Sequence, residues 1–310
     1  MQAIVLQSTG SWYKVKTQSG MRLDCRLPGR FKQEEQRFTN PIAVGDTVIL
    51  KKDTLLDTYI IQEILPRKNY IIRQSPRQKN LKHIVASNID QALLIMTIAS
   101  PRTSLGFVDR FLVTTESYHI PCIIVVNKID LLSSKEIAKL EELKKIYSNL
   151  NYPILETSTL TNQGMEQIRN LLLGKTTLLI GHSGAGKSSI VNALNPQLNL
   201  KTASVSAKWN KGTHTTTFAS MYEIFENSYI IDTPGIKELF VVEMEPQELG
   251  GYFLEIKAWS RKCQYNNCLH ENEPNCAVKK AYLERSISKS RYNSYLTILE
   301  NIRSVDYWKR

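Results

Sequence analysis

The chain has 310 residues, 42% hydrophobic and 22% charged, with a formal net charge of +11. That length allows two or three domains with sizeable cores, while five cysteines, an odd number, argue against a disulfide framework and for a reducing compartment. No apolar run approaches the roughly 18 residues of a membrane span, and Met1 to Ser11 lacks a basic region followed by an apolar stretch. No membrane partner is expected, and the expected compartment is the cytoplasm.

The charge is segregated. Residues 1–82 carry +8, residues 83–256 carry −3 and residues 257–310 carry +6. Two basic ends around a near-neutral centre read as a footprint for a polyanion, RNA foremost.

Residues 1–72 predict an all-β domain, with short alternating runs between the turn signals Ser19-Gly20, Pro28-Gly29, Asn40-Pro41 and Gly45-Asp46. Five short strands suit an OB-type barrel, and an SH3-like barrel fits the pattern nearly as well. Trp12, Tyr13, Lys14, Arg22, Arg26, Arg30, Phe31 and Lys32 interleave basic and aromatic side chains, as backbone neutralisation with base stacking requires. Trp12 and Tyr13 fit stacking and core equally. Residues 73–91 read as a basic connecting segment. Cys25 and Cys122 read as packing residues.

From Asp90 strands alternate with helices, which implies a mostly parallel sheet covered on both faces. Ala92 to Ala99 and Cys122 to Val126 read as buried strands, with a helix over Val108 to Tyr118 between them. Asn127-Lys128-Ile129-Asp130 follows directly and has the guanine-reading N-K-x-D pattern. Asp130 can accept hydrogen bonds from the guanine N1–H and exocyclic amine, a donor pair that adenine lacks. The stem of Lys128 can cover the base plane, and Asn127 would tie this loop to a phosphate loop. Ser133-x-x-Glu136 is a capping box, followed by Ile137, Leu140, Leu143 and Tyr147 on one helix face. Pro153-Ile154-Leu155 reads as a short strand, and Thr157-Ser158-Thr159 after it is similar to a second base-contacting loop. Met165, Ile168, Leu171 and Leu172 mark a further helix.

Gly181-His182-Ser183-Gly184-Ala185-Gly186-Lys187-Ser188 is the stretch around which the chain is organised. It matches G-x-x-x-x-G-K-[ST] between a buried strand, Thr177 to Ile180, and a helix. Glycines let the backbone wrap around phosphate, and the N–H groups at the helix start face negative charge. Lys187 would reach the β- and γ-phosphates and the Ser188 hydroxyl would ligate Mg²⁺. Ser189, next in the helix, joins the candidate nucleotide-binding set. Residues 201–216 read as a polar loop, and strands follow around 217–225 and 228–232. Thr213-His214-Thr215-Thr216-Thr217 should supply one threonine to the Mg²⁺ shell, and Asp232-Thr233-Pro234-Gly235 is D-x-x-G. Asp232 would hold Mg²⁺ through water, and the Gly235 N–H would meet the γ-phosphate. Ile236 stands where many GTPases place a water-orienting glutamine, so His214 is the candidate catalytic residue.

These motifs come in an unusual order. N-K-x-D and residues 157–159 precede the phosphate loop, so the domain reads as a circular permutation. Beyond it, Cys263-x4-Cys268-x-His270-x5-Cys276 offers three thiolates and one imidazole, a set suited to one structural Zn²⁺ with no open position. Arg261, Lys262, Lys279, Lys280, Arg285, Lys289 and Arg291 make a second RNA-facing surface, and 278–303 reads as helical.

On this combination the sequence resembles the bacterial small-subunit-dependent GTPase A family (RsgA/YjeQ) over essentially its whole length. The resemblance implies a multidomain chain: an OB-type barrel over 1–72, a circularly permuted α/β P-loop GTPase domain over 73–242, and a mostly helical zinc-binding domain over 243–310. It implies GTP hydrolysis stimulated by the small (30S) ribosomal subunit, contact with 16S rRNA, a role in late maturation of that subunit, and a monomer. It makes His214 the catalytic histidine, Thr216 the switch threonine, and Cys263, Cys268, His270 and Cys276 the zinc ligands. Thr213 stands where the family pattern has a basic residue, and Thr159 and Leu160 where the second base loop usually has Ala and Lys.

Overall fold

The computed structural model describes residues 1–9, 12–28, 40–53, 58–74, 82–200, 219–233 and 244–307. At the N-terminus, β1 (Gln2–Ser8), β2 (Trp12–Thr17) and β3 (Arg22–Arg26) form an antiparallel meander. The strand β5 (Thr58–Ile64) joins β3 in parallel and β4 (Thr47–Asp53) antiparallel, and β4 returns to β1. The order β1-β2-β3-β5-β4-β1 closes an OB-type barrel and decides between the two barrels that the sequence allows. The period-two pattern of β2 sends Tyr13 and Val15 into a core with Val5, Cys25, Val48 and Ile61. Trp12 and Tyr13 therefore divide: Tyr13 is core, while half-buried Trp12 carries the Arg26 guanidinium 4.1 Å above its ring.

The segment expected to be a connector is partly structured. Tyr70–Gln74 (β6) and Lys82–Ser87 (β7) pair as an antiparallel hairpin. Beside Arg73, Gln74, Lys82 and His83 lie Ile71, Ile72, Ile84, Val85 and Ala86, whose burial outweighs the local polarity that suggested a linker. A boundary drawn at residue 72 falls inside β6. The barrel is fastened to the hairpin at Asp46, which accepts from Arg67 Nε at 2.7 Å, Arg67 Nη2 at 2.8 Å, Ser87 Oγ at 2.6 Å and the Ala43 N–H at 2.8 Å.

The central domain comprises β8 (Gln91–Met96), α1 (Leu105–Ser117), β9 (Cys122–Asn127), α2 (Ser134–Ser148), β10 (Ile154–Thr157), α3 (Met165–Leu172), β11 (Thr176–Ile180), α4 (Lys187–Leu194), β12 (Ser220–Phe225) and β13 (Ser228–Asp232). The sheet runs β10-β9-β8-β11-β13-β12, parallel except for β12. Alternate residues serve opposite faces. Leu94, Ile124 and Leu178 pack with residues of α1 and α2, and Leu93, Ile123 and Leu179 with residues of α3 and α4. The expected capping box is present at Ser133 and Glu136. On the face that follows, Leu140, Leu143 and Tyr147 are buried, whereas Ile137 in the first turn is exposed. Beyond the sheet edge, β12 touches the barrel at Gln7↔Ser220, and Lys16 Nζ meets Glu223 Oε1 at 2.5 Å.

The C-terminal module contains α5 (Leu254–Ser260), α6 (Ala277–Leu283) and α7 (Lys289–Tyr307). The continuous helix expected over 278–303 is broken at Arg285, where φ is +62°. The break folds the chain back so that Tyr282 stacks on Tyr292 with centroids 4.4 Å apart. Phe253, Ile256, Val278, Tyr295 and Ile298 form its core, which also takes in Val113 of α1.

Candidate nucleotide site and metal centre

Four strands of the central sheet end together and place the predicted nucleotide residues. The phosphate loop leaves β11 and enters α4 at Lys187. Gly186 adopts φ +98°, and a Cβ there would lie 2.2 Å from Asn127 Nδ2, so the close approach of the two loops requires glycine. Asn127 ends β9 and donates to the Ala185 carbonyl at 2.9 Å. Its Oδ1 accepts from Thr157 Oγ1 at 3.1 Å, at the end of β10. One buried amide thus joins both candidate base loops to the phosphate loop. Ser158, also buried, accepts from the Leu160 and Thr161 N–H groups at 3.2 and 3.1 Å and shapes the second loop.

Lys128 has φ +63°, and its ammonium donates to the Ser100 carbonyl at 3.0 Å. Asp130 lies exposed in the following turn, open to a base edge. Lys187 folds over its own loop and donates to the carbonyls of Gly181 at 2.6 Å and His182 at 3.2 Å. Asp232 ends β13, beside β11. Burial lowers the pKa of Lys187 and raises that of Asp232, each opposed by the other's charge. Such a pair favours an anion arriving beside the lysine and a cation beside the carboxylate. Ser183, Gly184, Ser188 and Ser189 complete the loop and the first helical turn. His214, Thr216 and Gly235 lie outside the described residues.

The cysteine cluster closes on itself. The ligand atoms of Cys263, Cys268, His270 and Cys276 all lie within 4.8 Å of one another. Cys263 Sγ and Cys276 Sγ are 3.9 Å apart, and His270 Nδ1 stands 3.6 and 3.5 Å from them. A tetrahedral ion with bonds of about 2.3 Å to sulfur and 2.0 Å to nitrogen has edges of about 3.8 and 3.5 Å, so this donor set fits one. Burial pushes the Cys268 thiol up to about 12 and also raises Cys276, which leaves the thiolates in need of a cation. The Glu273 carboxylate gathers the N–H groups of Leu269, Glu271 and Asn272, while Tyr292 and Tyr295 donate to the carbonyls of His270 and Leu269. The knuckle is thereby fixed to α7.

A family model described as RsgA GTPase matches residues 64–242, and one described as RsgA N-terminal domain matches residues 2–60. The chain belongs to the RsgA GTPase family. A protein of Bacteroides fragilis named small ribosomal subunit biogenesis GTPase RsgA is 47% identical over 309 residues, with 99% of each chain covered. One of the same name from Flavobacterium johnsoniae is 46% identical, covering 97% of this chain and 93% of its own. The crystal structure of YjeQ from Thermotoga maritima superposes with a TM-score of 0.78 at 32% identity, over 97% of this chain and 98% of its own. YloQ, described as a circularly permuted GTPase, does so with 0.73 at 26%, over 98% and 95%. This chain is a GTP-hydrolysing enzyme with a permuted GTPase domain, as expected from its motif order.

Membership of the family does not expose two features that sequence reasoning missed. The first is a further wall of the site, formed by residues 100–107. Ser100 holds Lys128, Pro101 lies against Gly184, and the ring of Phe107 stands 3.9 Å from that of His182. Its signal in the sequence is the N-cap Ser104, whose hydroxyl accepts from the Phe107 N–H and sets where α1 begins. The second is a buried ionic cluster. Arg291 of α7 donates to Asp109 of α1 at 2.8 Å and, through Nε and Nη2, to Glu255 of α5 at 2.7 and 3.0 Å. Tyr147 of α2 donates to the same Asp109 oxygen at 2.6 Å. The basic surroundings of Arg291 in the sequence predict a place on an RNA-facing surface. Arg291 is instead 1% exposed, because two carboxylates and the rings of Phe253 and Tyr147 surround it.

Proposed function

We propose that this enzyme binds the small ribosomal subunit, hydrolyses GTP on it and then releases, acting in late maturation of that subunit. The observation that carries the nucleotide assignment is the Asn127 amide, which unites base loop and phosphate loop. Asn127, Lys128 and Asp130, with Thr157 and Ser158, would hold guanine. Residues 181–189 would wrap the phosphates, with Lys187 reaching the β- and γ-phosphates. Ser188, Thr216 and, through water, Asp232 would hold Mg²⁺, which neutralises charge developing between the phosphates. The Gly235 N–H would face the γ-phosphate, and His214 would orient the attacking water.

Cys263, Cys268, His270 and Cys276 would hold one structural Zn²⁺. The ribosomal reading is supported by the names of the relatives and by the basic ends of the chain, taken as 16S rRNA contacts. The proposed units are an RNA-binding barrel that ends before β6 and not at residue 72, a GTPase domain to residue 242 and a metal-binding domain over 243–310, in a cytoplasmic monomer.

The test is a nucleotide panel with turnover. The wild type is expected to bind GTP and GDP and to discriminate against ATP by at least about a hundredfold. His214→Ala should bind GTP normally but lose about a hundredfold or more in subunit-stimulated turnover. Equal binding of ATP would contradict the base assignment, and undiminished turnover would contradict the role of His214.

A further inference from the structure

The nucleotide loops and the C-terminal module meet the same helix. The turn that leads into α1 holds Lys128 through the Ser100 carbonyl and places Pro101 against Gly184. In the first turn of α1, the Phe107 ring covers His182 at 3.9 Å between centroids, with 34° between the planes. Asp109 and Val113, four residues apart, face the other way. Asp109 is bound by Arg291, and Val113 belongs to the C-terminal core.

Among the described residues the phosphate loop is held by Asn127 at Ala185, by Lys187 at Gly181 and His182, and by its own Ala185 N–H on the His182 carbonyl at 3.1 Å. An ammonium has three N–H donors, so when Lys187 also meets a phosphate its donors are shared between that phosphate and those carbonyls. Asn127 adds a hold from outside at the Ala185 end, and the Phe107 ring adds one at the His182 end. We propose that Phe107 is a positioning residue for the phosphate loop, and that Arg291 of the C-terminal module acts through α1 to set it. This deepens the nucleotide-site reading and rests on it. Nucleotide affinity then depends on a residue of the C-terminal module that touches neither base nor phosphate.

The experiment is equilibrium binding of fluorescent GDP, with KM and kcat for GTP, on the full chain. Phe107→Leu keeps the site apolar but removes the ring contact. It should raise the GDP Kd and the GTP KM about fivefold, the scale of one aromatic pair, and leave kcat within about twofold. Phe107→Tyr should restore wild-type binding. His182→Ala removes the other ring without touching the core and should give the same shift. Arg291→Lys keeps the charge but loses the forked geometry, and should weaken GDP binding about twofold to threefold. Phe111→Leu, one turn further along α1 in the same core, is the control for a purely structural effect. It should lower the melting temperature and leave the GDP Kd unchanged.

Wild-type affinity in both Phe107→Leu and His182→Ala would overturn the proposal. So would equal weakening by Phe107→Leu and Phe111→Leu. Unchanged binding in Arg291→Lys would overturn the part that concerns the C-terminal module. A wild-type chain that binds no GDP would overturn the nucleotide-site reading and the proposal together, which is a distinguishable result.

Discussion

The barrel and the C-terminal module are each fastened to the GTPase domain by an arginine on a buried carboxylate, but the two clusters differ in balance. At the barrel, Asp46 faces one guanidinium, and both its oxygens are bonded, with Ser87 and the Ala43 N–H adding to Arg67. At the C-terminal module, Arg291 alone serves two carboxylates, and Asp109 Oδ2 has no hydrogen-bond partner among the described residues. The first cluster is a satisfied clamp between segments 21 and 41 residues apart. The second concentrates the charge compensation of three helices in one side chain. The places differ as well. The barrel continues the sheet beyond β12, whereas the C-terminal module grips α1, which also touches the phosphate loop.

Removing the proposed Zn²⁺ should break this comparison most severely. Metal-linked folding energy in small domains is about 10 kcal/mol. A strong chelator, or Cys263→Ala, should abolish zinc stoichiometry and unfold the C-terminal module while the barrel keeps its amide protection, read by hydrogen exchange. Arg291→Met comes next. It leaves Asp109 and Glu255 buried without a cation and should cost about 3–5 kcal/mol in a denaturant melt. Asp46→Ala should cost less, about 2 kcal/mol, because its partner Arg67 is 15% exposed and can reach water. The pair at the barrel seam, Lys16 with Glu223, is 17% and 19% exposed, and Lys16→Met should cost about 1 kcal/mol or less. An equal effect of Asp46→Ala and Arg291→Met would erase the distinction between the two fastenings.

Much of the central domain was legible in the sequence. Runs such as Leu93 to Met96 and Ile123 to Val126 are apolar throughout because parallel strands are buried on both faces. The phosphate loop and N-K-x-D each carry their chemistry in a few contiguous residues. The β6–β7 pairing was illegible because its burial comes from residues distant in sequence, such as Ala43 and Tyr118 against Ile72 and Ile84, and not from its local composition. Arg291 was illegible for a related reason. A lysine or arginine near other basic residues reads as surface, and only the fold brings Asp109, 182 residues away, beside it. Phe107 reads as ordinary core, and its contact with His182 depends on where Ser104 starts the helix.

The most direct test of the account is GTP turnover by the full chain with purified small ribosomal subunits, with large subunits, or with neither. The account predicts slow turnover alone and strong stimulation by small subunits only. Equal stimulation by both, or by neither, would contradict the small subunit as the partner that switches this enzyme.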